Sequence, residues 1–228
     1  MFVHHRMSSP AITVDPSLPV MDALHLMEEK DVRRLPVVDG RGRLVGIVSE
    51  KDVLRASPSP ATTLSIFEVS YLLHRLTVGD IMTREVVTVR EDTPLEEAAR
   101  IMAQRHLGGL PVMREGKLIG MITETDLLLG FSEVLGAFEP GVRITVELPD
   151  EPGAVAEVSN RVKEMGGNIA ALSLFRGADP RHGYLVARVQ GVGAQDLVDR
   201  LSDGRAVVVD VREFDEVEKR EERTSGNA

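Results

Sequence analysis

Apolar residues recur along this chain in two alternating rhythms, three or four positions apart and then at every second position. Val20, Ala23, Leu24 and Met27 fall at i, i+3, i+4 and i+7, the spacing of an amphipathic helix. Ahead of it, Ala11 to Val14 reads as a short strand closed by Asp15-Pro16. Behind it, Leu35-Pro36-Val37-Val38 and Leu44-Val45-Gly46-Ile47-Val48 flank the turn Asp39-Gly40-Arg41-Gly42, which predicts a β-hairpin. Ser49-Glu50-Lys51-Asp52 then opens a closing helix. The series returns as a strand at Val86 to Val89 and a helix face of Leu95, Ala98, Ala99 and Met102. Strands at Leu110 to Met113 and Leu118 to Ile122 follow around Glu115-Gly116, with a helix from Thr123-Glu124-Thr125-Asp126. Each series is βαββα. Beyond Phe131 the rhythm changes: Val142, Ile144, Val146 and Leu148 alternate as a half-buried strand. Asp150-Glu151-Pro152-Gly153 turns into a helix bearing Val155, Val158, Val162 and Met165, stopped by Gly166-Gly167. Strands at Asn168 to Phe175 and Tyr184 to Val189, a helix through Ala194, Leu197, Val198 and Leu201, and a strand at Ala206 to Val211 complete a βαββαβ order.

The first two series are one repeat used twice. Met82 aligns with Met7, Thr88 with Thr13, Pro94 with Pro19, Met102 with Met27 and Pro111 with Pro36. One residue is then lost in the hairpin, and Gly120, Thr123 and Asp126 align with Gly46, Ser49 and Asp52. Two such units are expected to cover each other's apolar faces, leaving two related clefts at a pseudo-two-fold seam. Between them, Ser57 to Thr63 is turn-forming, and Leu64, Phe67, Val69, Tyr71, Leu72 and Leu73 read as a helix too apolar for a free linker. The expected segments are residues 1–56, a linker at 57–76, residues 77–132, a connector at 133–140, residues 141–214, and a charged, disordered tail at 215–228.

Composition narrows the function. A net charge of -9 argues against nucleic acid, whose binding draws on clustered Lys and Arg. No apolar run approaches the roughly 20 residues that span a bilayer, and the N-terminus lacks a signal-peptide core, so a cytoplasmic address is expected. The absence of cysteine removes thiolate nucleophiles and thiolate metal sites. His4-His5 is read as part of a mobile terminus, and the remaining histidines lack metal-ligand spacing. No nucleophile elbow, phosphate-binding loop ending in Gly-Lys-Ser/Thr or His-Glu-x-x-His motif is present, and no catalytic residue is assigned.

The two strand-to-helix junctions carry the candidate chemistry. Ser49 and Thr123 place a hydroxyl beside free helix N–H groups, where a phosphate is favoured, and Asp52 and Asp126 stand one turn on, where a carboxylate can accept two ribose hydroxyls. A Ser or Thr followed three residues later by an acid is also a capping box that needs no ligand. Either copy alone reads as a cap; that both copies keep the same Gly, hydroxyl and Asp favours a site.

With Met7-Ser8 and Met82-Thr83, Thr13 and Thr88, the Leu-Pro-Val strands and the doubled Gly-x-x-(Ser/Thr)-x-x-Asp, the repeats resemble a tandem pair of CBS domains, a Bateman module. The resemblance implies a disc-like unit binding an adenosine-containing ligand (AMP, ADP or ATP) as a regulatory ligand. It assigns Asp52 and Asp126 to the ribose, Ser49 and Thr123 to the phosphate, and Thr13 and Thr88 to the pocket edge. The copies differ at Arg33-Arg34 against Gly108-Gly109 and at Lys51 against Thr125, so the cleft served by Arg34 and Lys51 is expected to hold the more highly charged ligand.

The βαββαβ segment has the ferredoxin-like order and resembles an ACT domain, through Asp150-x-Pro152-Gly153 and Gly166-Gly167-Asn168-Ile169. That likeness puts Asp150 and Asn168 at an amino-acid effector position across a subunit interface; otherwise the turn and Asn168 are structural and the domain dimerises the chain. The fold class is therefore α+β, a CBS pair followed by an ACT domain. The arrangement is similar to the acetoin-utilization-type CBS–CBS–ACT regulators of bacteria. It implies a non-catalytic homodimeric sensor acting on a downstream enzyme, with a ligand-free scaffold as the alternative and an enzyme last.

Overall fold

The computed structural model describes residues 1–56, 75–177, 179, 181–202 and 205–215. The helix expected through Leu64 to Leu73 and the tail after Asp215 lie outside the described residues. The chain forms two compact units, Met1–Leu127 and the residues from Leu128 onward.

The first unit holds both repeats. Helix α1 (Val20–Glu29), strands β1 (Arg34–Val38) and β2 (Leu44–Ser49) and helix α2 (Glu50–Ala56) form one copy. After the short helix α3 (Val78–Ile81), the other consists of β3 (Val89–Arg90), α4 (Leu95–Arg105), β4 (Gly109–Arg114), β5 (Lys117–Thr123) and α5 (Glu124–Val134). The predicted helix faces are the buried ones: Val20, Ala23 and Met27 on α1, and Leu95, Ala98 and Met102 on α4. They cover hairpins whose inner residues include Leu35, Val37 and Val48 in one copy and Leu110, Val112 and Ile122 in the other.

The opening strand of each copy is shorter than its sequence predicts. Ala11 to Val14 contributes a single parallel bridge from Val14 to Val37, and the Val86 to Val89 segment pairs only at Val89 and Arg90. Pro16 has no N–H to continue the first ladder, so pairing ends where Asp15-Pro16 begins.

The copies exchange their first residues, which periodicity did not reveal. Val3 donates its N–H to the Thr93 carbonyl (2.9 Å), and Ser8 pairs in both directions with Met121 of β5 (2.9 and 3.0 Å). At the equivalent places Val78 donates to the Leu18 carbonyl (2.9 Å), and Thr83 pairs in both directions with Ile47 of β2 (2.9 Å each). Val78 and Met82 thus complete the core of the first copy. The N-terminus expected to be loose is packed: Val3 is fully buried, His4 bonds the Glu91 carbonyl, and the His5 ring accepts the Phe2 N–H. Gly46 and Gly120 are where the exchanged segments pass. A Cβ on Gly46 would lie 2.3 Å from the Met82 sulfur, and one on Gly120 would lie 2.5 Å from the Ser8 carbonyl oxygen.

In the second unit, β6 (Gly141–Pro149), β7 (Asn168–Arg176), β8 (His182–Gln190) and β9 (Val207–Phe214) form an antiparallel sheet in the order β7-β8-β6-β9. Helices α6 (Ala154–Glu164) and α7 (Ala194–Leu201) pack their buried Val158, Val162, Leu197 and Leu201 against Ile144, Val146, Leu185 and Val189. This is the ferredoxin-like arrangement. Gly166, at φ +79°, stops α6 where the Gly-Gly pair placed its end. Strands β8 and β9 run longer than expected, starting at His182 and ending at Phe214, and α5 continues past Phe131 to Val134. On the sheet face away from the helices, Arg188 is only 3% exposed. Its guanidinium donates to the carbonyls of Gly136 (3.2 Å) and Gly141 (3.3 Å) and lies 4.2 Å from the centre of the Phe214 ring.

Candidate functional site

The site residues of the first unit meet at its two strand-to-helix junctions. Ser49 ends β2 and Asp52 sits in the first turn of α2, so both project from one bend. One carboxylate oxygen of Asp52, Oδ2, accepts the Ser49 N–H (2.9 Å) and its hydroxyl (2.6 Å), while the Ser49 Oγ lies 3.4 Å from the Asp52 amide. Thr123 and Asp126 repeat the pattern at 2.7, 2.6 and 3.4 Å between β5 and α5. Both pairs are half-buried.

The capping arrangement weighed from the sequence is therefore realised in full. A third instance serves as an internal comparison: Thr77 and Asp80 make the same contacts (2.9 and 2.7 Å) at the start of α3, in an exposed position. The bond pattern alone does not separate a ligand site from a helix start. What separates the two junctions from Thr77 is their surroundings.

In β1 and β2, Arg34 stands directly opposite Ser49, and at the equivalent register of β4 and β5 Gly109 stands opposite Thr123. Arg34 does not fold back over Ser49. It crosses to the other copy and donates from Nη1 to the Gly108 carbonyl at 2.8 Å. The two glycines form the shelf on which it lies: a Cβ on Gly108 would be 2.0 Å from Arg34 Nη2, and one on Gly109 would be 3.5 Å from Nη1. The Gly108 carbonyl also accepts the Glu124 amide (3.3 Å), and the Arg33 carbonyl accepts the Glu50 amide (3.2 Å) at the matching place. Burial draws the Arg34 guanidinium below the ordinary arginine range; Glu124, Asp52 and Glu50 oppose that shift and Arg33 adds to it. Sequence reasoning named Arg34 but missed Glu50 and Glu124, the residues directly after each hydroxyl, because neither differs from an ordinary first-turn acid.

The remaining predicted residues lie further out. Thr13 and Thr88 are exposed, each one residue before the bridge of its opening strand, and Lys51 is exposed on the first turn of α2. In the second unit Asp150 lies 3.8 Å from Arg176 Nε at the end of β7. It helps line a shallow cavity of about 280 Å³ with Pro149, Val155, Phe175 and Gly183. Asn168 begins β7 and donates to the Gln190 side chain at 3.4 Å. One chain does not bring Asp150 and Asn168 together, because about 26 Å of strand separates the ends of β7. Among the described residues no cluster of His, Cys, Asp or Glu suits a metal ion, and no helix is long and apolar enough to cross a membrane.

The CBS domain family model matches residues 3–59 and 78–133, and the TTHA0829-like ACT domain model matches residues 140–212. A CBS domain-containing protein of Dictyostelium discoideum is 34% identical over 141 residues, covering 61% of this chain and 97% of that protein. The chloroplastic CBSX2 of Arabidopsis thaliana is 37% identical over 133 residues, 50% of this chain and 56% of its own length. A solved CBSX2 structure holds AMP; it is 34% identical, covers 58% of this chain and 97% of that one, and has a TM-score of 0.49. A putative acetoin utilization protein (AcuB) from Vibrio cholerae is 30% identical over 60% of this chain and 96% of that one, with a TM-score of 0.50. Two longer curated relatives are matched over only 21% of their length. The exchanged repeats, their doubled junctions and the four-stranded second unit agree with these matches, and the chain belongs to the CBS-domain proteins, as a tandem CBS pair followed by a TTHA0829-like ACT domain.

Proposed function

We propose that the tandem repeats bind a phosphorylated adenosine ligand (AMP, ADP or ATP) at the two junctions, and that the chain is a non-catalytic regulatory sensor. The observation that carries this reading is Arg34. It is a half-buried guanidinium whose acceptor among the described residues is a neutral carbonyl, set opposite Ser49 and within electrostatic reach of Asp52 and Glu124. A desolvated cation whose donors are not satisfied by a carboxylate among the described residues is a strong recognition element for phosphate. Asp52 and Asp126 each commit only Oδ2 to the cap, so among the described residues Oδ1 is left to accept a ribose hydroxyl. Ser49 and Thr123 supply hydroxyls for the phosphate, Thr13 and Thr88 the pocket edge, and Lys51 a further cation on the first cleft. Ligand that favours one relative angle of the two copies shifts the population of a downstream enzyme's bound state by no more than its differential affinity.

For the ACT domain we infer a homodimer joined along β7, a free edge of its sheet with Leu174 and Phe175 more than half exposed. Antiparallel pairing centred on Leu172 sets Asn168 opposite Arg176 of the partner subunit, and so beside the Asp150 end where an amino-acid effector is expected. The segment boundaries and the cytoplasmic address expected from the sequence belong to this same reading.

A second reading, a ligand-free dimeric scaffold, is favoured by one observation: the caps at Ser49 and Thr123 are as complete as the exposed one at Thr77. Thermal unfolding of the full chain with AMP, ADP, ATP and S-adenosylmethionine separates the two. A ligand that binds only the native state adds about 2.7 kcal/mol of stability at one hundred times Kd and so raises the melting temperature with its concentration. A melting temperature unmoved by every adenosine ligand leaves the scaffold.

A further inference from the structure

The two junctions are related by the repeat, but the cation between them is not. Arg34 has Gly109 as its counterpart, and Arg33 has Gly108, so the seam receives one inward guanidinium where symmetry would place two or none. The glycine shelf shows that the arrangement is built: a side chain at position 108 would occupy the place of the guanidinium itself. Arg34 belongs by sequence to the copy that carries Ser49 and Asp52. By contact it belongs to the copy that carries Thr123 and Asp126, since its acceptor, the Gly108 carbonyl, also takes the amide of Glu124. Acids of both junctions, Glu50 and Asp52 on one side and Glu124 on the other, surround it without a direct ion pair among the described residues.

We propose that Arg34 is shared by the two clefts, so that a phosphorylated ligand in either cleft weakens binding of a phosphorylated ligand in the other. This rests on the nucleotide reading and adds to it a coupling between the sites. A phosphate at the Ser49 junction draws the guanidinium off the glycine shelf, and a phosphate at the Thr123 junction holds it there. One positive charge serves whichever anion arrives first, and the second binds without it. Coupling of this kind is reciprocal, so each cleft must weaken the other by the same factor. It depends on the phosphate and not on the nucleoside.

The experiment is calorimetric titration of the full chain with ATP and with adenosine. Asp52→Ala and Asp126→Ala each leave one cleft, and the product of the two single-cleft affinities is compared with the overall affinity of the unaltered chain for two ligands. The expected result is an overall affinity for two ATP about fivefold below that product, and an overall affinity for two adenosine equal to it. Arg34→Met, which keeps the volume of the side chain, should remove the fivefold factor. Should that variant fail to fold, Gly108→Ala, whose methyl group takes the place of the guanidinium on its shelf, should remove the same factor. A factor of one with ATP, a factor that persists with adenosine, or a cleft that stays silent when its neighbour is disabled overturns the sharing of Arg34. If the unaltered chain binds neither ATP, AMP nor adenosine, the nucleotide reading falls and the sharing with it.

Discussion

At the scale of single residues, the question is what a hydroxyl and an acid three residues apart are for. Ser49–Asp52, Thr123–Asp126 and Thr77–Asp80 make the same two short bonds, so all three fasten the start of a helix. Only the first two lie at the seam with Arg34. Ser49→Ala should therefore cost about 1 kcal/mol of stability as a lost cap and weaken AMP binding as well. Thr77→Ala should loosen α3 and leave AMP affinity unchanged. Paired urea melts and AMP titrations check this; equal loss of AMP affinity in both variants would mean that the hydroxyls act through stability alone. Gly108→Ala tests the shelf from the other side. Its methyl group would displace the Arg34 guanidinium, which approaches within 2.0 Å of that position, and so should weaken ATP more than adenosine.

At the scale of elements, the exchange of opening segments governs the first unit. Val3 and Val78 are both fully buried, each in the copy it does not precede in sequence. Truncating either to alanine should cost about 1.5–3 kcal/mol, and the two costs should agree, because the two contacts are related by the repeat. Chemical denaturation of the two variants measures it. Gly120→Val should be more damaging than Gly46→Val. The new side chain at Gly120 meets the Ser8 backbone oxygen, whereas at Gly46 the nearest atom is the end of the Met82 side chain, which can rotate away. Overpacking of this kind costs about 1–3 kcal/mol. The glycines of the doubled motif are thus explained by the crossing chain before any ligand is considered.

At the scale of the whole molecule, the proposed sensor role needs a surface that passes ligand state to an output, and the ACT sheet is the proposed one. Its β7 edge carries Leu174 and Phe175, 55% and 53% exposed, and a row of backbone groups with no strand partner among the described residues. Phe175→Asp should place a charge at that edge and shift the chain toward monomer, measured by sedimentation across a concentration series. A dimer untouched by this change would locate its interface elsewhere. Arg188 works inside the same unit, gathering the carbonyls of Gly136 and Gly141 beneath the sheet. Arg188→Leu should remove both bonds and destabilise the loop between α5 and β6, seen as faster amide exchange there.

Periodicity and local spacing along the chain carry much of this fold. The helix faces on Val20 and Leu95, the hairpins around Gly40 and Gly116, the βαββαβ order and the duplication all follow from residues a few positions apart. The candidate hydroxyl–acid pairs were legible for the same reason, since a cap is a contact between neighbours. The contacts that complete the fold join residues far apart in the chain. Nothing near Val3 reveals that its partner is Thr93, and nothing near Arg34 reveals that it lies on Gly108. The shortness of the opening strands belongs here too, because a strand's length is set by the neighbour that pairs with it. Spacing reports which face a residue turns inward; only packing of one copy against the other decides what that face meets.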